Sequence, residues 1–352
     1  MIVMGMAMVF LEVLLALAIE RLWVSVTAWR RFTWFMRFAA WSETRVAASS
    51  ASTRSDKSAD THARMAVLLA ILAPVLGVGL AHYLLSEMLL VLVLIFDVAV
   101  LVYCLGPKDL DAQVRAFMQA CIRDDPGAAR QHMADITGRS WHPAAHGTCR
   151  TLRLRSSLCG DTDIAPEAPL TLPQMMQGVI EAILIQANER WFAIIFWFFV
   201  LGPMGALFYR LASVLKDHAE ALRSNKAEES GEPDSYAAAA QQLHAILGWL
   251  PARFTALSYA VMGSFVDAID GWSQGIYDPL MNRSSRNADV VMASGLGALR
   301  MHDMVHDMRE MPGAAKKTIS ILHVRSALAL VWRTVMFCLW GMLVASLMSW
   351  LI

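Results

Sequence analysis

Charge is scarce in this sequence. Asp, Glu, Lys and Arg make up 17% of 352 residues, and 30 basic side chains balance 30 acidic ones for a formal net charge of +0. A soluble domain carries about a quarter charged residues, and one this poor in charge would expose large apolar patches to water. The balance of signs also removes the basic surface that a nucleic-acid partner requires, so none is expected. Cysteine is equally sparse. The five (Cys104, Cys121, Cys149, Cys159 and Cys338) form no CxxC pair, which excludes a disulfide framework and suits a reducing compartment. There is no GxxxxGK[ST] phosphate loop, no G-x-S-x-G elbow and no repeat of solenoid length. The first segment lacks both a basic n-region and a small-residue cleavage site, so it is expected to stay as an anchor.

Apolar sequence is abundant: 57% of residues are hydrophobic, with 22 Met and 12 Trp, and the mean hydropathy is +0.45. The fold class this implies is all-α, a polytopic transmembrane helical bundle with amphipathic cytoplasmic helices and candidate re-entrant segments. Crossing about 30 Å of hydrocarbon takes roughly 20 residues. Met65–Leu85, Met88–Gly106 and Thr334–Ile352 meet that length, the first two forming a hairpin about Ser86 and Glu87, and Ile2–Ile19 is a fourth span despite Glu12. Trp191–Tyr209 is interrupted by Gly202-Pro203 and Gly205, and Ile246–Val266 carries Pro251 and Arg253, so each reads either as a crossing or as a re-entrant helix. Arginine and lysine concentrate between the first span and the hairpin, after the hairpin, and before the last span, whereas the hairpin turn has none. The positive-inside rule therefore places the main loops in the cytoplasm and both termini outside. Residues 1–352 read as one membrane domain, with a flexible Ser/Ala-rich insertion at 47–63, a cytoplasmic region at 107–178 and an acidic loop at Glu228–Asp234. Within that cytoplasmic region Leu110, Val114, Phe117 or Met118, and Cys121 recur at helical spacing, which predicts an amphipathic helix packed on the bundle, with a membrane-surface helix as the alternative.

Ionisable groups inside spans are costly and therefore functional candidates. Glu12 and Asp97 qualify, and Arg333, at the start of the last span, is a candidate partner for either. His302 and His306 share a helical face beside Asp303 and Asp307, a spacing that suits a metal; a solvated polar face competes with that reading, and no third ligand is assigned. His142 and His146 share the spacing but bracket Pro143, against a regular helix. The densest constellation is VIEAILIQANERWFAIIFWFFVLGPMGALFYR, residues 179–210. Gln177, Glu181 and Asn188 share a face there, with Glu189 and Arg190 where the polar helix meets the apolar run. Such a cluster at a membrane boundary suits a charged ligand or a metal–phosphate group, and a solvated interfacial helix is the structural alternative.

Several segments together resemble the AmpE and CobD/CbiB superfamily of bacterial inner-membrane proteins. They are AIERLW (Ala18–Trp23), DITGR (Asp135–Arg139), VIEAILIQANERW, GPMGALFYRL (Gly202–Leu211), LGWLPARFTALSYAVMG (Leu247–Gly263) and, more loosely, RNADVVMASGLGAL (Arg286–Leu299). The cobalamin-biosynthesis branch resembles a ligase that joins an aminopropanol phosphate or similar amine to a corrinoid carboxylate with ATP and magnesium. This chain departs from that branch's acidic motifs. Ser140 follows Arg139 in place of Asp, Arg190-Trp191 follow Asn188-Glu189 without the expected Asp, and the run after Arg210 lacks the Asn and Asp. The ERL motif and reduced acidic set resemble the AmpE branch more closely. That resemblance implies an inner-membrane signalling modulator, regulatory rather than enzymatic, which accompanies muropeptide recycling and β-lactamase induction. It further implies a muropeptide or other small ligand held by Glu20, Arg139, Glu181, Asn188, Glu189, Arg210 and Arg253. The amide ligase is the alternative, and no cofactor is assigned.

Overall fold

The computed structural model describes residues 2–22, 32–50, 56–105, 110–137, 171–226, 235–276, 283–301 and 319–351. Among these residues every regular element is helical, in the order α1 (Ile2–Leu22), α2 (Thr33–Ser50), α3 (Asp56–Ser86), α4 (Leu90–Cys104), α5 (Leu110–Ile122), α6 (Pro126–Thr137), α7 (Leu172–Ala187), a π-helical turn (Asn188–Phe192), α8 (Ala193–Lys226), α9 (Ser235–Met262), α10 (Phe265–Ile276), α11 (Arg283–Ala298) and α12 (Ile321–Leu351). Ala63–Ser86, Leu172–Ala219, Ser235–Met262 and Ile321–Ser349 are long and apolar enough to cross a membrane. The chain is an all-α, polytopic membrane protein. Many of its large apolar side chains point outward, among them Leu69, Leu76 and Leu80 of α3 and Trp340, Leu347 and Met348 of α12. That arrangement suits lipid, where no water penalises an exposed leucine.

α3 and α4 form the hairpin that their sequence implies, turning at Glu87 and Met88. α4 covers 15 residues, about 22 Å at helical rise, so it is shorter than the apolar run that contains it. α1 packs on α4 and α12, and α2 packs on α3. Residues 47–50 and 56–63 of the Ser/Ala-rich segment are helical. The loop expected at Glu228–Asp234 lies outside the described residues. α5 occupies the predicted stretch, and Leu110, Val114, Phe117 and Met118 are buried, so its apolar stripe does pack on the bundle.

The decisive feature is a fold-back inside Leu172–Ala219. At Gly202 the backbone leaves helical geometry, with φ 65° and ψ −152°, a region that only glycine occupies without strain. Pro203 then removes the next backbone donor. A Cβ on Gly205 would run into the carbonyl oxygen of Trp197 and the side chain of Leu201, so the two limbs meet immediately beyond the break. Further along, the Lys216 ammonium lies 3.1 Å from a Glu189 carboxylate oxygen, across 27 residues. In a straight helix those residues would stand about 40 Å apart. The segment is therefore a helical hairpin with Gly202 at its tip, where Phe199, Val200 and Leu201 are exposed. Each limb from charged base to tip is about 20 Å long, less than the hydrocarbon thickness. Trp191–Tyr209 thus forms the tip of a helical hairpin rather than one straight helix, and Met204 near the tip packs against Gly79 of α3.

α9 braces this hairpin. Pro251 has no N–H, so the carbonyl of Leu247 loses its helical partner. The indole Nε1 of Trp197 donates to that carbonyl at 3.1 Å, which explains how proline is tolerated here. On the other side, Asn287 and Ser294 of α11 donate to the carbonyls of Ala245 (2.7 Å) and Ala256 (2.7 Å). α9 spans 28 residues, about 42 Å, which is long enough for a full crossing.

Candidate functional site

The widened turn Asn188–Phe192 sits where the buried polar helix α7 becomes the apolar limb of the hairpin. A π-turn inserts one residue and rotates the helix beyond it, and such turns recur at functional sites. The turn is tied to α9 at two points. Thr255 Oγ1 donates to Asn188 Oδ1 at 2.9 Å, and the Tyr259 hydroxyl donates to the carbonyl of Leu184 at 3.1 Å. These bonds fix the direction in which Glu189 and Arg190 project.

Opposite them, the return limb brings Tyr209, Arg210, Lys216 and Asp217. The Lys216 ammonium lies 3.1 Å from Glu189 Oε1 and 3.7 Å from Asp217 Oδ1. His244 of α9 closes the group, its ring 5.3 Å from that of Tyr209 and within the field of Lys216 and Glu189. Arg190 feels Arg210, Glu189, Asp217 and, from the end of α1, Glu20. Arg210 is buried against the ring of Phe32, 5.4 Å from its centroid. The Arg190 and Arg210 charges oppose one another within this network, while Glu189, Asp217 and Glu20 offset Arg190 and Asp217 and Glu189 offset Arg210.

Three buried atoms here have no hydrogen-bond partner among the described residues: the Tyr209 hydroxyl, Arg210 Nε and His244 Nε2. Tyr209 is 1% exposed, His244 5% and Arg210 8%. Buried polar groups are satisfied in the great majority of cases, and an unsatisfied one calls for an explanation. Three such atoms fall here on neighbouring residues, Tyr209 and His244 with rings 5.3 Å apart and Arg210 next in the chain.

The residues predicted from sequence are divided by the structure. Glu189, Arg210 and Glu20 do converge, with Asn188 adjoining through Thr255. Glu181 lies deeper in α7, accepting a 2.8 Å hydrogen bond from Gln177. Arg253 stacks on Trp249, 4.1 Å from the ring centroid, and donates to the carbonyl of Trp249 at 2.9 Å and to Asn287 at 3.4 Å. Arg139, His302 and His306 lie outside the described residues, as do His142 and His146. Lys216, Asp217, Tyr209 and His244 were not singled out by sequence, because their role depends on contacts across the fold-back.

The intramembrane charges form a separate group. Asp97 accepts a 2.9 Å contact from His82 across the α3–α4 hairpin, and Glu12 is buried within reach of the Asp97 charge. Arg333 pairs with neither among the described residues. Its guanidinium donates to the carbonyl of Ala329 at 3.2 Å, and it edges an open apolar groove of about 430 Å³ with Met262, Trp332, Met336, Phe337 and Trp340. Asp97, for which Arg333 is one candidate partner by sequence, is met instead by His82 of the neighbouring helix.

The donor set of the described residues does not suit a divalent metal. Among the described residues no three His, Cys, Asp or Glu side chains come together, and a magnesium held through fewer would need one or two free carboxylates beside a ligand phosphate. Glu189 and Asp217 are turned to the Lys216 ammonium instead. The magnesium that the ligase resemblance implies does not fit these residues.

Known proteins share much of this sequence. Residues 167–348, which contain both limbs of the hairpin, match the family described as CobD/Cbib protein. A cobalamin biosynthesis protein CobD from Stutzerimonas stutzeri is 28% identical over 245 residues, covering 67% of this chain and 68% of the relative. Another of that name, from Chromobacterium violaceum, is 30% identical over 212 residues, covering 58% of this chain and 54% of the relative. No solved structure matches. These matches correct the expectation of an AmpE-type signalling modulator of muropeptide recycling and β-lactamase induction, because both relatives carry a cobalamin-biosynthesis name. The expectation leaned on acids missing from local motifs. It gave no weight to Asp217, which the fold-back returns to the site beside Glu189 and Lys216.

Proposed function

The chain belongs to the CobD/Cbib protein family, and on that premise we propose that it acts in cobalamin biosynthesis, binding an anionic reactant at the base of its re-entrant hairpin. The observation that carries this reading is that Arg190 and Arg210 share one field beside three buried polar atoms unpartnered among the described residues. A phosphate or carboxylate between the guanidinium groups would relieve their repulsion and form short, charge-assisted hydrogen bonds. Tyr209 and His244 would complete its contacts and set its orientation. The chemistry of the family's cobalamin branch, joining a phosphate-bearing amine to a corrinoid carboxylate, supplies groups of that kind. We place the protein in the bacterial inner membrane with its basic loops and hairpin base toward the cytoplasm, following the distribution of Lys and Arg.

The test is complementation. Expressed in a strain lacking its own cobalamin biosynthesis protein CobD, the full chain should restore cobalamin-dependent growth. Arg210→Met should cut that rescue at least tenfold at equal membrane abundance, a loss of the size expected when one charge-assisted contact of about 1.5–3 kcal/mol is removed. Normal membrane abundance of the unaltered chain without any rescue would overturn the reading.

A further inference from the structure

The surroundings of Lys216 bear on how an anion is held. Its Nζ stands 3.1 Å from Glu189 Oε1 and 3.7 Å from Asp217 Oδ1, between two carboxylates that come from opposite limbs of the hairpin. Two facing carboxylates are the usual cradle of a divalent cation. Here a covalently held ammonium occupies that position, and it is largely buried, with 11% of its side chain exposed. A magnesium ion there would meet a fixed like charge, and both carboxylates already lie within ion-pair distance of it. Tyr209 and His244 lie within the field of Lys216, and the Tyr209 hydroxyl, His244 Nε2 and the adjoining Arg210 Nε are unpartnered among the described residues.

We propose that the hairpin base binds its phosphate-bearing ligand without a divalent cation, the Lys216 ammonium supplying the positive charge that magnesium would otherwise bring. This rests on the reading of the base as an anion site and goes beyond it by assigning the counter-charge to the chain itself. Lys216 holds the carboxylates of Glu189 and Asp217 apart from the anion, while Arg190 and Arg210 contact the phosphate oxygens. Its charge cannot be removed by a chelator.

The experiment is calorimetric titration of inorganic phosphate into the full chain, purified in a phospholipid-free detergent, once with EDTA and once with excess magnesium. The expected result is the same affinity in both. Lys216→Met should weaken phosphate binding at least tenfold in EDTA, with magnesium recovering part of the loss. Lys216→Arg, which keeps the charge and guards against a simple folding defect, should bind within about threefold of the unaltered chain, a difference below 1 kcal/mol. Repeating the titration with a short-chain phosphatidic acid distinguishes a lipid headgroup from a soluble phosphate ester; metal-free binding of either supports the proposal. Binding that appears only with magnesium would overturn the proposal and leave the anion site standing. No binding under either condition would overturn both.

Discussion

Gly205→Ala should open the hairpin and destabilise the protein by about 3 kcal/mol, the upper end of typical overpacking costs. The added methyl meets a backbone carbonyl, that of Trp197, and a backbone cannot move aside as a flexible side chain can. In a chain of this size that should lower the unfolding midpoint by roughly 4 °C. Gly202→Ala should follow the same direction by about 1–3 kcal/mol, because its φ of 65° with ψ −152° is closed to an alanine. Gly77→Ala is the control. A Cβ there meets nothing within 4 Å, so the change should be neutral or slightly stabilising in a helix interior. Thermal unfolding in detergent, followed by intrinsic fluorescence, reads all three. Equal midpoints for Gly205→Ala and Gly77→Ala would mean that the limbs do not meet at Trp197.

The second large effect concerns the pair that joins the limbs at their base. Lys216→Met should cost about 3 kcal/mol, because it leaves the Glu189 carboxylate largely out of water without its counter-charge. Glu189→Gln should cost a similar amount for the converse reason. The double variant should cost clearly less than the sum, by a coupling of about 2 kcal/mol. The size of that coupling carries the structural information. Residues 27 apart in sequence can couple at this strength only when they touch, so additive costs would argue for an extended helix. Methionine and glutamine are chosen because they keep most of the side-chain volume and leave no new charge behind.

Much of the fold was legible in the sequence because membrane helices are written in local composition. α5 occupies the stretch predicted from Leu110, Val114 and Phe117, and the α3–α4 hairpin turns next to Ser86 and Glu87. Gly202 and Pro203 announced a break in Trp191–Tyr209. A break does not state where the chain goes next, however, and crossing and re-entry share the same local signals. The reversal is encoded instead by tertiary contacts, such as Gly205 against Trp197 and the Trp197 indole on the carbonyl freed by Pro251.

The site divides along the same line. Glu189 and Arg190 stood out because they interrupt an otherwise apolar run. Lys216, Asp217 and His244 carry no local signal of that kind, since none of them interrupts an apolar run. Their significance depends on the fold-back that sets Lys216 against Glu189 and on α9, which brings His244 to Tyr209. Arg253 drew notice through its motif, yet its described contacts lie with Trp249 and Asn287. Proximity in a motif identified the right helix without identifying which side chains face the site.

The site exists only if the chain reverses at Gly202, since every contact between Glu189 or Arg190 and the residues beyond Tyr209 requires it. The direct measurement is a pulsed electron–electron distance between spin labels at Ile185 and His218, introduced as cysteines in a variant cleared of its five native ones. The limbs of a hairpin pack about 8–10 Å apart, so with the reach of two labels the distance should fall below roughly 25 Å. A distribution centred near 50 Å, the length of a continuous helix over that interval at about 1.5 Å per residue, would contradict the hairpin and the site built on it.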